Sequence, residues 1–258
     1  MQIDPLYTLS GAVVGFVVGL TGVGGGSLMT PALVLLFGVH PATAVGTDLL
    51  FAAITKTAGA TVHGCKRNID WRIVGRLAAG SAPGSAITLF LMDRYGVHTS
   101  QMSRTIGVVL GVALVLTALS ILLRKQLLAL KLRPQPATEA TRTVVTMAFG
   151  AVLGVVVSIS SVGAGAMGLT VLLLLYPSAP IVRIVGADVA HAVPLTFIAG
   201  IGHWMIGSVD VSMLASLLIG SVPGVVIGAQ LAPGVDERAI RIVLSVMLGI
   251  VGMRLIVA

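Results

Sequence analysis

The chain of 258 residues is 56% hydrophobic and 10% charged, with 16 Lys and Arg against 9 Asp and Glu. Soluble domains carry roughly 25% charged residues, so an ordinary soluble globular protein is excluded, and the high apolar content excludes a disordered one. With a mean hydropathy of +1.06, the net charge of +7 reads as Lys and Arg gathered in the cytoplasmic loops of a multi-pass membrane protein, not as a nucleic-acid footprint.

Residues 5–47, 143–182, 189–209 and 211–235 contain no Lys, Arg, Asp or Glu. Roughly 20 apolar residues cross a bilayer core, so these windows hold several spans. The chain divides into a first transmembrane repeat (1–123), a polar cytoplasmic linker (124–142) and a second repeat (143–258). The first repeat has apolar segments near 8–38, 42–63, 73–92 and 104–123. The second has them near 144–176, 186–206, 211–231 and 239–257. The start, Met1-Gln2-Ile3-Asp4, lacks the basic n-region of a cleavable signal peptide. The single Cys65 excludes an intramolecular disulfide and a cysteine-based metal site.

The two halves read as an internal duplication. Gly11, Gly15, Gly24 and Gly26 match Gly150, Gly154, Gly163 and Gly165 at an offset of 139. After one inserted residue, Gly46, Asp48, His63 and Asp70 match Gly186, Asp188, His203 and Asp210 at an offset of 140. Pro83-Gly84 likewise match Pro223-Gly224. Chance similarity between apolar stretches matches Leu and Val, but rarely Asp, His and Pro at a constant offset.

The first segment of each half is about 30 residues long and is interrupted, at 22–26 and at 160–165. Arms of about 12–14 residues suit a broken or re-entrant helix better than a full crossing. If the broken segments enter and leave on one side, each half crosses three times and the repeats have inverted topology. Twelve basic residues then face the cytoplasm and three the outside, the better fit to the positive-inside rule. The predicted fold is thus an all-α integral membrane protein with two homologous halves of about four helical segments each.

Paired interruptions at equivalent positions are the strongest sequence pointer to a transport site, because opened backbone at membrane depth is tolerated only where protein or a watery cavity satisfies it. The N-terminus of the arm after each break directs free N–H groups and partial positive charge at that cavity. Gly24, Gly25, Gly26 and Ser27 in the first half, and Gly163 and Gly165 in the second, are therefore candidate anion-binding positions. Thr21, Thr47, Ser160 and Ser161 supply hydroxyls. The bland reading is that the glycines only let two hairpins cross closely.

Asp48, Lys56, Asp188 and His191 are ionisable groups inside apolar segments. Such groups cost roughly 2.5–3.5 kcal/mol at a span centre on insertion scales and mark ion or proton pathways by default. They are candidates for proton coupling or gating. The competing reading for Asp48 and Asp188 is helix capping at starts near Gly46 and Gly186. His63 and His203 read as interfacial helix-end histidines beside Trp71 and Trp204. Pro83 and Pro223 read as kinks. No metal or cofactor is expected. An enzyme based on Ser27 is disfavoured because the equivalent residue is Ala166.

TGVGGGSLMTPALVLLFGVHPATAVGTDLL, with the later HGCKRNIDW and AAGSAPGS, resembles the TauE/SafE sulfite exporter family, also called the toluene sulfonate uptake permease group. The second half carries the degenerate copy SSVGAGAMGLTVLLLLYPSAPIVRIVGADVAH, then HWMIGSVD and GSVPG. The resemblance covers essentially the whole chain. It implies a secondary transporter of sulfite, an organosulfonate or a related small organic anion in the cell inner membrane. Many members have Gly/Ala-Thr-Ser where this chain has Gly46-Thr47-Asp48, and the acid points to proton coupling or a different substrate. The alternatives are a channel or carrier for a cationic or neutral solute using the Asp pair, and a non-transporting scaffold. The expected partners are the small anion and the lipid bilayer; the glycine-rich spans are compatible with a homodimer.

Overall fold

The computed structural model describes residues 3–21, 26–97, 99–129, 138–231 and 237–257. Every element among the described residues is a helix. In chain order they are α1 (Pro5–Thr21), α2 (Gly26–Phe37), α3 (Pro41–Cys65), α4 (Trp71–Tyr95), α5 (Ser100–Ala129), α6 (Glu139–Ser160), α7 (Ala166–Leu175), α8 (Ile181–Met205), α9 (Val211–Leu231) and α10 (Glu237–Val257). Among the described residues, four helices are long and apolar enough to cross a membrane: Ser100–Leu123 within α5, and α6, α8 and α9. At about 1.5 Å per residue, the 25 residues of α3 or of α4 have the length of a bilayer crossing.

The helix boundaries follow local chemistry. α2 stops at Gly38, whose φ of 64° only glycine adopts cheaply, and the Val39 N–H turns back onto the Leu33 carbonyl at 3.0 Å. Pro41 opens α3, where its missing N–H costs nothing. Asp70 caps α4 by accepting from the N–H groups of Arg72 and Ile73, and Asp210 accepts from the Met213 N–H at 2.9 Å in the same way. α4 and α9 continue through Pro83 and Pro223. α5 runs on to Ala129, well into the polar segment that begins at Arg124.

Two expectations are corrected here. α3 begins at Pro41 and α8 at Ile181, so Asp48 and Asp188 lie two turns inside their helices and cap neither. His203 is not an interfacial histidine: it is fully buried, and its Nε2 contacts the Ser158 carbonyl at 2.8 Å.

The helices pack as α1 on α9, α4 on α6, α5 on α10 and α3 on α8, with α4 also against α8. Glycine makes these contacts possible. A Cβ at Gly220 would overlap the Thr8 carbonyl oxygen, and one at Gly80 the Met147 carbonyl oxygen. Gly11 and Gly15 on α1 meet the carbonyls of Leu217 and Ser221, while Gly150 and Gly154 on α6 meet those of Leu77 and Ser81. Each α1–α9 contact thus has an α4–α6 contact 139 or 140 residues away. Lipid tails are as apolar as the helix faces, so dispersion and close backbone approach carry such association. α3 and α8 run antiparallel: Gly46 meets His203 and Ser208, Gly200 meets Leu50, and Gly186 meets His63 and Asn68.

α6 and α7 form a hairpin. The Tyr176 hydroxyl, just past α7, lies 2.8 Å from the Thr146 hydroxyl in the second turn of α6. Arg76 closes this mouth from α4, donating to Tyr176 at 3.2 Å and to Glu139. The start of α1 and the end of α2 meet similarly through the rings of Tyr7 and Phe37, with centroids 4.9 Å apart.

Replacing Gly80 or Gly220 with Leu should lower the melting temperature of the detergent-purified protein, overpacking costing about 1–3 kcal/mol. Gly249→Ala, at a helical position where a Cβ meets nothing within 4 Å, should leave it unchanged or raise it by the helix-propensity gain of up to about 1 kcal/mol.

Candidate functional site

The interruption between α6 and α7 is written into the backbone. Ser161 is left-handed at φ 58°, and its N–H returns to the Val157 carbonyl at 2.7 Å. Gly163 and Gly165 follow at φ 125° and 133°, conformations that L side chains rarely adopt. No side chain caps the first turn of α7. A helix end without a side-chain cap leaves N–H groups for other partners: the Gly168 N–H turns back onto the Gly163 carbonyl at 3.2 Å, and the break is buried at Val162 and Gly163 and half-buried at Ala164 and Gly165.

Lys56 reaches this break from α3. Its Nζ donates to the Ala164 carbonyl at 3.1 Å, supplying one of the partners that exposed backbone needs at membrane depth. The same ammonium interacts electrostatically with Asp48 on its own helix and with Asp188 and His191 on α8. Both carboxylates are buried, Asp48 at 0% and Asp188 at 3% exposure. Asp48 accepts from the Thr30 hydroxyl of α2 at 2.5 Å and has Ser161 as a neighbour. Its Oδ1 has no partner, nor does Oδ1 of Asp188. The latter lies against Gly168 on α7, where a Cβ would collide with it.

Because α3 and α8 are antiparallel, the two carboxylates stand toward opposite ends of the crossing. Leu50, two residues past Asp48, meets Gly200, which is 12 residues along α8 from Asp188, about 18 Å of helix rise. Lys56 lies between them. One ammonium therefore serves two carboxylates, and with all three ionised the group carries one net negative charge.

Of the positions singled out in the sequence, Asp48, Lys56, Asp188, His191, Ser161, Gly163 and Gly165 come together at the meeting of α3, α8 and the α6–α7 break. Ser160 and Thr47 are buried but engaged locally. The Ser160 hydroxyl donates to the Val156 carbonyl at 2.7 Å, and Thr47 Oγ1 accepts from the Asp210 N–H at 3.1 Å. Ser27 is buried at the start of α2, and Gly26 is the first residue of that helix. Thr21 ends α1. Gly24 and Gly25, with the Thr21 side chain, lie outside the described residues.

Sequence reasoning missed Thr30, Ser81, Ser85 and Ser158. Ser81 pairs with His191 Nε2 at 2.8 Å, and Ser85 with Ser158 at 2.7 Å. All four are buried. A Ser or Thr within an apolar helix usually bonds its own backbone, as Thr88, Thr117 and Thr196 do here, so residue type alone does not single these out. The one available signal was spacing: Ser81 and Ser85 stand one turn apart, bracketing Pro83-Gly84 on a glycine-rich face.

Comparison with known proteins identifies the family of the chain. The family model for "Sulfite exporter TauE/SafE" matches residues 7–255. The chain is 37% identical over 251 residues to "Probable membrane transporter protein YjnA" of Bacillus subtilis, covering 96% of this chain and 98% of that protein. It is 31% identical over 226 residues to "Probable membrane transporter protein YdhB" of the same organism, covering 84% and 86%. A "Probable membrane transporter protein" of Haemophilus influenzae is 29% identical over 167 residues, 62% of this chain and 59% of that one. No solved structure gives a significant match. A match over nearly the whole chain, together with apolar helices of membrane-spanning length, establishes a multi-pass membrane protein of the sulfite exporter TauE/SafE family, a family of membrane transporters.

Proposed function

We propose that this protein is a proton-coupled secondary transporter that moves sulfite, or a related organosulfonate or small organic anion, across the cell inner membrane. The anion sits at the α6–α7 break and its counterpart between α1 and α2. The observation that carries the reading is the uncapped start of α7 beside the Lys56 ammonium, with a buried carboxylate to either side. A small anion gains from both the helix end and the ammonium.

Charge arithmetic supplies the coupling. With Asp48, Asp188 and Lys56 all ionised, the group is net negative and repels an anion, strongly so where water is excluded. Each proton taken up by a carboxylate raises the local charge by one unit, so an anion that arrives with a proton is balanced. Asp48 and Asp188 then act as the coupling groups, one toward each end of the α3–α8 crossing, with His191 one turn from Asp188.

Two homologous halves of inverted topology give this site its alternating access. The reading is supported by the two hairpins, each closed at its mouth by Tyr7 with Phe37 or Thr146 with Tyr176. It is supported too by the exchange-related contacts of α1–α9 and α4–α6 and by the antiparallel crossing of α3 and α8. In this arrangement 1–123 and 143–258 are the repeats and 124–142 is the cytoplasmic linker.

Proteoliposomes should accumulate radiolabelled sulfite or a sulfonate when the anion and a proton gradient are imposed together. Uptake of K⁺ or neutral amines without any anion transport would instead favour the cation or neutral-solute carrier. Lys56→Met should lower anion uptake about tenfold or more, as expected for loss of a charge-assisted contact of roughly 1.5–3 kcal/mol. Gly165→Val should weaken anion binding in a thermal-shift titration, because Val does not adopt the backbone angle there. Asp188→Asn should flatten the dependence of uptake on pH, and a profile identical to wild type would remove Asp188 from the coupling.

A further inference from the structure

The α4–α6–α8 interface contains a line of buried polar side chains that the packing does not require. It begins at Asp188, with His191 one turn along α8. His191 Nε2 meets Ser81 Oγ at 2.8 Å. Ser85, one turn further along α4, meets Ser158 Oγ at 2.7 Å. Ser161, one turn beyond Ser158, neighbours Asp48. Every member is at most 4% exposed. The line runs from one carboxylate to the other by way of side chains on α4 and α6.

Three observations set it apart from ordinary helix–helix glue. First, four of its polar atoms are buried without a partner: Asp188 Oδ1, His191 Nδ1, Ser161 Oγ and Asp48 Oδ1. Most buried polar side-chain atoms in a folded protein are paired, so unpaired atoms gathered at both ends of one line ask for an explanation. Second, the positions offset by 140 from His191 and Ser85, and by 139 from Ser158, are Phe51, Val225 and Gly19. There α1 and α9 pack through Gly19 against the Val225 backbone, and Ser221, the counterpart of Ser81, bonds the Leu218 carbonyl of its own helix among the described residues. The same architecture therefore closes without a polar line. Third, His203 holds the Ser158 carbonyl at 2.8 Å, which fixes the α6 turn that carries the Ser158 hydroxyl.

We infer that this line is the internal proton path between Asp188 and Asp48, built into only one of the two equivalent interfaces. The inference rests on the proton-coupled reading above and adds the route. Asp188 gives its proton to His191 Nδ1, and His191 releases its other ring proton from Nε2 to Ser81. Each hydroxyl then accepts one proton and passes on its own, through Ser85, Ser158 and Ser161, to Asp48 Oδ1. Water bridges every step that has no direct contact: Asp188 to His191 Nδ1, Ser81 to Ser85, Ser158 to Ser161, and Ser161 to Asp48 Oδ1. Charge is conserved: Asp188 ends as carboxylate and Asp48 as acid. The charged group facing the line from α3 is Lys56, which interacts with Asp188, His191 and Asp48. The members contributed by α4 and α6 are hydroxyls.

The test compares two modes of radiolabelled-sulfite transport in proteoliposomes: accumulation driven by a proton gradient, and counterflow exchange at equal pH, which needs no net proton movement. The Ser85→Ala/Ser158→Ala double variant should lose gradient-driven accumulation by about tenfold or more, the scale of a positioned proton-transfer group, while counterflow stays within about twofold of wild type. Accumulation within about twofold of wild type overturns the path. Equal loss in both modes also overturns it, because that is what a merely structural role does. A wild-type protein whose sulfite transport ignores the proton gradient overturns the coupled reading itself, and the path with it.

Discussion

The ammonium of Lys56 on the carbonyl of Ala164 is the contact on which the rest of the site depends. A helix opened at membrane depth leaves carbonyl and N–H groups that lipid cannot satisfy, and a lysine placed there needs countercharge. Each solves part of the other's problem. The lysine satisfies the open backbone, the buried carboxylates balance the lysine, and the second carboxylate leaves the group one negative charge in excess. In the proposed function, that excess is what makes the site respond to protons and to anions.

The glycines supply the geometry in which this can happen. Gly163 and Gly165 turn the chain back after α6, so that α7 descends beside its partner and brings Gly168 against Asp188. Elsewhere, glycines on α1, α4, α6 and α9 bring backbones into contact. The bundle is thus held by dispersion and close approach, with polar contacts between helices such as the Arg76 cluster, Ser81 with His191 and Ser85 with Ser158 added to them. Closely packed faces of this kind suit the rigid-body alternation proposed above.

Much of the candidate site was legible in the sequence because charges are rare in apolar segments and the glycine runs fall at matched interruptions. Asp48, Lys56, Asp188 and His191 break a charge-poor background, and Gly163 and Gly165 recur at the place where a helix stops. The reading failed where the informative event lay elsewhere in the chain. The segment holding Asp188 was expected to start near 186, but the Arg183 N–H bonds the Pro180 carbonyl in the first turn of α8. That moves the helix start back and removes Asp188 from its cap. His203 looked interfacial because Trp204 and Asp210 follow it, yet α3 and α6 cover it. The partnerships of Thr30, Ser81, Ser85 and Ser158 join different helices, and no local pattern announces them.

The most direct test of the central claim, that an anion binds together with a proton at the break held by Lys56, is a calorimetric titration of the purified protein with sulfite and with a permanently ionised sulfonate. Each titration is run in two buffers of different ionisation enthalpy. The account predicts that about one proton is taken up from solution per sulfonate bound, and that Lys56→Met weakens binding of both anions about tenfold or more. Binding with no proton uptake, or binding unaffected by loss of Lys56, would contradict it.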